Sequence, residues 1–123
     1  MMMQERPRRA STDESRRVIF ERAAAIVCDE FARPLRIDEV AERVSVSPRQ
    51  LQRVFSEVCG LGFRSYLRRV RMRRAAELLV HTRLPVSEIG LRVGYRDPSQ
   101  FAKAFKDTYG TSPSQTRSAG PEE

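Results

Sequence analysis

"VSPRQLQRVFSEVCG", residues 46–60, and "YRDPSQFAKAFKDTYG", residues 95–110, decide the fold of this 123-residue chain. Shifted by 50 positions, Ser47 faces Asp97, Pro48 faces Pro98, Gln50 faces Gln100, Arg53 faces Lys103, Phe55 faces Phe105 and Gly60 faces Gly110. Each stretch has the marks of one short helix. A Ser or Asp at the N-cap is followed by Pro at the first helical position, where a missing N–H costs nothing. An apolar stripe then runs at helical spacing, Leu51, Val54, Phe55 and Val58 in one and Phe101, Ala104 and Phe105 in the other, and a Gly ends each helix.

Ahead of each capped helix lies a shorter one. Ile37, Val40, Ala41 and Val44 give an inward face to the first, with Asp38 and Glu39 suited to its positive N-terminal end. Val86, Ile89 and Val93 repeat that face at an offset of 49, so the second copy has one extra residue in its turn. Between the copies a longer helix is expected from about Phe63 to His81, with Phe63, Leu67, Val70, Ala75, Leu78 and Leu79 as its apolar surface. Before them, Ile19, Ala23, Ile26 and Val27 predict a helix that starts at a Ser11/Glu14 capping box and closes before Pro34.

The spacing therefore predicts an all-α chain of about seven helices and no strand. Its parts are a flexible basic arm over 1–11, a helix-turn-helix subdomain over 12–61, a linker helix over 62–83, a second helix-turn-helix subdomain over 84–117 and a frayed tail over 118–123. Two repeats separated by a helix fit two small bundles better than a solenoid, which needs three or more units.

Composition narrows the function. The formal net charge is +7 and the pI about 10.4, and Arg supplies most of it, since Lys occurs only at 103 and 106. Arg suits phosphate and guanine through its planar fork of donors. Cys28 and Cys59 have no metal-ligand spacing and His81 is the single histidine, so neither a metal site nor a Cys–His dyad is expected. The two cysteines are expected to be reduced and partly buried. There is no Gly-rich phosphate loop, no Ser–His–Asp set and no spaced carboxylate pair, so an enzyme and a bound cofactor are not expected. No apolar run approaches the roughly 20 residues that span a membrane, and the basic start has no hydrophobic stretch behind it. The expected location is the bacterial cytoplasm.

Two helices joined by a tight turn can place the second in the major groove of DNA, which admits one α-helix. On the first capped helix Arg49, Gln50, Gln52 and Arg53 project away from the apolar stripe; on the second, Ser99, Gln100, Lys103 and Lys106 do so. Gln and Arg are side chains that pair with adenine and guanine edges. The cap of the first helix, Ser47, is positioned for a phosphate, as is Lys106. "RSYLRRVRMRR", residues 64–74, carries six arginines, of which Arg64, Arg68 and Arg71 are candidates for the DNA backbone.

"GYRDPSQFAKAFKDTYGTSP", with "SEIGLRVG" ahead of it and Arg117 behind it, closely resembles the signature of the AraC/XylS-type transcription regulators. The resemblance extends over roughly residues 15–117. It implies two recognition helices in successive major-groove segments on one face of a duplex, so that a monomer reads an asymmetric operator. It places base contacts at Arg49, Gln52 and Arg53, then at Ser99, Gln100 and Lys103. Activation would require a contact with RNA polymerase through exposed surface.

Three departures stand out. Gly90 occupies a position that is usually Ala in the family and should loosen its helix by roughly 1 kcal/mol. Thr116 replaces a common aromatic before Arg117. Pro98 and Ala102 are poor base readers, so sequence discrimination should rest mainly on the first copy. At 123 residues, no small-molecule effector domain is expected in this chain. Its Met-Met-Met start favours a small stand-alone regulator over the excised DNA-binding domain of a larger one. The rival class is a basic helical module that binds acidic partners or nucleic acid without sequence preference.

Overall fold

The computed structural model describes residues 8–120, and side chains from residue 14 onward. Seven helices account for all regular structure among the described residues: α1 (Arg8–Glu30), α2 (Ile37–Arg43), α3 (Pro48–Cys59), α4 (Phe63–His81), α5 (Val86–Arg92), α6 (Pro98–Tyr109) and α7 (Pro113–Ala119). The expected arm over 1–11 lies partly outside the described residues. Where it is described it is corrected, because the backbone is already helical from Arg8 and Ser11 stands inside α1 rather than at its cap. Likewise Ser118 and Ala119, expected in a frayed tail, close α7, while 121–123 lie outside the described residues.

The chain forms two compact units. One comprises Leu35–Arg64 with the part of α1 up to Asp29; the other comprises Ser65 onward with Glu30–Pro34. In the first, Ala23 and Val27 of α1 are buried together with Leu35, Val40, Ala41, Val44, Leu51, Val54, Phe55 and Phe63. Edge-to-face contacts link Phe20 to Phe55, centroids 5.1 Å apart, and Phe55 to Phe63 at 5.6 Å. An ion pair from Arg16 to Glu57 at 3.1 Å flanks them. Val58, expected inward, is 37% exposed, although it stands on the same face as Leu51 and Val54, in the last turn of α3.

The second unit has its own core of Met72, Ala75, Leu78, Leu79, Ile89, Val93, Phe101, Ala104 and Phe105. Met72 is fully buried, although it sits in the arginine-rich half of α4. The α7 helix is secured by a reciprocal capping box between Ser112 and Gln115, and the buried Pro113 opens it. Arg117 donates to the carbonyls of Leu79 at 3.2 Å and Thr82 at 3.3 Å. Thr116, in place of an aromatic, shares a 2.9 Å hydroxyl contact with Thr111. Packing gives Gly90 a reason beyond propensity: a Cβ there would lie 3.0–3.3 Å from the side chain of Phe101. The equivalent pair in the first copy is Ala41 and Leu51, so the smaller residue in α5 accompanies the larger ring in α6.

Candidate nucleic-acid interface

The two helix-turn-helix motifs are copies at the level of single hydrogen bonds. In the first turn the N–H groups of Val44, Ser45 and Val46 donate to the carbonyls of Val40, Glu42 and Ala41. In the second, Val93, Gly94 and Tyr95 donate to Ile89, Leu91 and Gly90, each 49 residues on. The left-handed residue is Ser45 at φ 63° in one and Gly94 at φ 104° in the other. Agreement at offset 49 through Tyr95, then at 50 from Asp97, identifies the extra residue as Arg96. It is exposed, immediately before the cap of α6.

Both α3 and α6 are twelve residues long and begin as the sequence requires. Ser47 Oγ accepts from the N–H of Gln50 at 3.1 Å, and Asp97 Oδ1 accepts from that of Ser99 at 2.9 Å. Gly60 and Gly110 end them at φ 77° and 81°, the left-handed C-cap that Gly takes without a Cβ penalty. With Leu51, Val54 and Phe55 buried on α3, the side chains of Arg49, Gln50, Gln52 and Arg53 are exposed. On α6, Phe101, Ala104 and Phe105 are buried and Ser99, Gln100, Lys103 and Lys106 are exposed. Each motif thus presents its candidate readers from one helix held by an apolar face.

These side chains are not equally available. Among the described residues no hydrogen bond or ion pair engages the charged groups of Arg49, Arg53, Arg64, Arg68 or Lys106. Lys103 Nζ is 3.2 Å from Asp107 Oδ2, an exposed pair one turn apart. Such pairs contribute about 0–1 kcal/mol, so a base edge or phosphate can compete for the ammonium. Gln52 Oε1 accepts from the backbone N–H of Phe63 at 2.9 Å, which ties half of its amide to the start of α4.

The arginine run divides by partner. Arg71 is removed from the phosphate candidates: its Nε donates to the carbonyl of Phe31 at 2.7 Å and its Nη2 to that of Arg33 at 3.0 Å. The guanidinium also lies 5.7 Å from the ring centroid of Tyr95. Burial lowers its pKa and the neighbouring Tyr95 opposes that shift. Arg74 pairs with Glu77 at 3.0 Å. Arg69 and Arg73 act on the Tyr109 phenol, whose pKa burial raises while the two guanidinium groups hold it back. Sequence spacing could not separate these roles, because Arg71 finds its acceptors about 40 residues away.

No group of His, Cys, Asp and Glu that could hold a metal occurs among the described residues. Cys28, expected partly buried, is exposed because it follows Val27 on the outer face of α1, and Cys59 is half-buried; both are free thiols. No described helix is long and apolar enough to cross a membrane.

Residues 40–119, about two thirds of the chain, match the family described as "Helix-turn-helix domain", here of the AraC type. The chain belongs to the AraC-type helix-turn-helix family. Among AraC-type structures, the C-terminal domain of AraT, a response regulator from Geobacillus stearothermophilus, superposes with a TM-score of 0.80 at 39% identity, over 85% of this chain and 88% of that one. The DNA-binding domain of AdpA, a global transcriptional factor solved in complex with a target DNA, gives 0.76 at 26% identity, over 82% of this chain and 90% of that one. The Msm operon regulatory protein of Streptococcus mutans is 30% identical over 106 residues, which is 86% of this chain and 38% of the relative. The chain therefore spans well under half the length of that AraC-type relative.

Proposed function

We propose that this chain is a sequence-specific, double-stranded DNA-binding module of a transcription regulator, with α3 and α6 as its recognition helices. One observation carries the reading: two turns that share three backbone hydrogen bonds at an offset of 49 residues, each delivering a capped twelve-residue helix with an exposed polar front. A single motif of this kind recurs in many helical proteins. Two copies that keep cap, proline, apolar pair and terminal glycine in register are what reading two groove segments requires. The net charge of +7 supplies the phosphate attraction common to all DNA binding.

The fronts of the two helices differ, Arg49, Gln50, Gln52 and Arg53 against Ser99, Gln100, Ala102 and Lys103, so one chain binds an asymmetric site as a monomer. Base contacts come from the exposed Arg49, Gln50, Gln52, Arg53, Ser99, Gln100 and Lys103, and Ser47, Arg64, Arg68 and Lys106 contact phosphate. AdpA, solved with a target DNA, and the Streptococcus mutans operon regulator support regulation of transcription as the outcome. In the activating mode, exposed surface away from α3 and α6 would meet RNA polymerase.

In vitro selection from random duplexes tests the reading. It should return one motif with two unequal boxes, bound at least about 10³-fold more tightly than unrelated DNA. Recovery of unenriched sequences would overturn it.

A further inference from the structure

We propose that Gln52 reads DNA as a hydrogen-bond donor only, selecting an acceptor edge, guanine or thymine, in place of the adenine that a free glutamine favours. The inference rests on the DNA-binding reading above. An unconstrained Gln pairs with adenine by accepting from N6 and donating to N7, which uses both ends of its amide. Here one end is committed. Phe63 opens α4, and its N–H is among the first donors of that helix, which have no partner within it. The preceding residue, Gly62, has no side chain with which to cap them. Gln52 Oε1 fills the place at 2.9 Å from the Phe63 nitrogen, and the end of the amide lies beside Gly62, whose Cβ would be 3.5 Å from Oε1 and 3.8 Å from Nε2. Because the partner is a backbone N–H, the atom that faces it must be the oxygen. The two Nε2 hydrogens are left for the exposed front of α3.

The second copy serves as an internal control. Fifty positions on, Gly62 becomes Ser112, Phe63 becomes Pro113 and Gln52 becomes Ala102. Ser112 caps α7 with its own hydroxyl, and proline has no N–H to satisfy. With no orphan donor at the helix start, the position equivalent to Gln52 carries a methyl group. The glutamine is present where the donor needs it and absent where it does not, which assigns its oxygen to the fold and its nitrogen to the DNA.

Three variants of the full chain separate these halves: Gln52→Glu keeps the acceptor and removes the donors, Gln52→Arg keeps donors and removes the acceptor, and Gln52→Met removes both. Each is passed through selection on random duplexes, and thermal unfolding and exchange of the Phe63 amide are followed in parallel. The wild type should select guanine or thymine at one position of one box. Gln52→Glu should keep the wild-type unfolding midpoint and slow exchange at Phe63, yet move that position toward cytosine, whose N4 amine donates. Gln52→Arg should keep the guanine preference, while Phe63 exchanges faster. Gln52→Met should lose both properties. The discrimination at stake is about 5- to 150-fold at that position. Adenine there in the wild-type motif, or a motif unchanged in Gln52→Glu, would overturn the inference and leave the DNA-binding reading standing. A wild-type selection without any motif would overturn both.

Discussion

Arg71 donates from Nε to the carbonyl of Phe31 across 2.7 Å, and this contact sets it apart from Arg64 and Arg68, the arginines proposed to meet the DNA backbone. The guanidinium bridges the segment after α1 to the turn of the second motif, where a Cβ on Gly94 would come within 3.0 Å of it. A charged donor on two carbonyls contributes about 1.5–3 kcal/mol. Arg71→Met is therefore expected to lower unfolding stability by that amount in denaturant titration while leaving the salt slope of DNA binding intact. Arg68→Ala should do the reverse, shifting stability by less than about 0.5 kcal/mol and reducing the slope by about 1.

Arg53 and Lys103 occupy equivalent positions, each with a carboxylate one turn on, but Glu57 pairs with Arg16 at 3.1 Å whereas Asp107 pairs with Lys103 itself at 3.2 Å. Arg53→Ala should cost about 1–3 kcal/mol of specific binding and relax the preference at one or two base pairs. Lys103→Ala should cost less, because its ammonium must leave Asp107 to reach DNA. Fluorescence anisotropy on the selected duplex and on single-base variants of it measures both.

The left-handed turn residue makes an opposite pair of predictions. Ser45 holds φ 63° with a Cβ, so Ser45→Gly should stabilise the first motif by about 0.5–1 kcal/mol. Gly94→Ala should destabilise the second by about 1–3 kcal/mol, since φ 104° is strained for an L side chain and the new Cβ meets Arg71 and the carbonyl of Ala32. Thermal unfolding of each variant checks the signs.

Gly90 and Phe101 should be energetically coupled. The double variant Gly90→Ala/Phe101→Leu, which installs the pairing of the first copy, should be more stable than the sum of the single effects by about 0.5–3 kcal/mol. Additive effects in a double-mutant cycle would contradict the packing described for this pair.

The parts legible in the sequence were those set by local chemistry. Caps act within three residues, a left-handed glycine ends its own helix, and apolar spacing fixes the inward face, so α3 and α6 follow from their own residues. The arginine run was not legible, since Arg71, Arg74 and Arg68 look alike until distant acceptors sort them. Nor was the double use of Gln52, whose partner lies across a turn. Its trace was nonetheless written in the register of the repeat, in the change of Phe63 to Pro113 alongside Gln52 to Ala102. The early start of α1 had no apolar periodicity to announce it.

Hydroxyl-radical footprinting of the full chain on its selected duplex tests the central claim, that both copies read DNA, most directly. Two protected patches on one face of the duplex are predicted, with centres about 10–10.5 bp apart, and Arg53→Ala should weaken one patch while leaving the other. A single patch, or two symmetry-related patches that appear only as a dimer forms, would contradict the account.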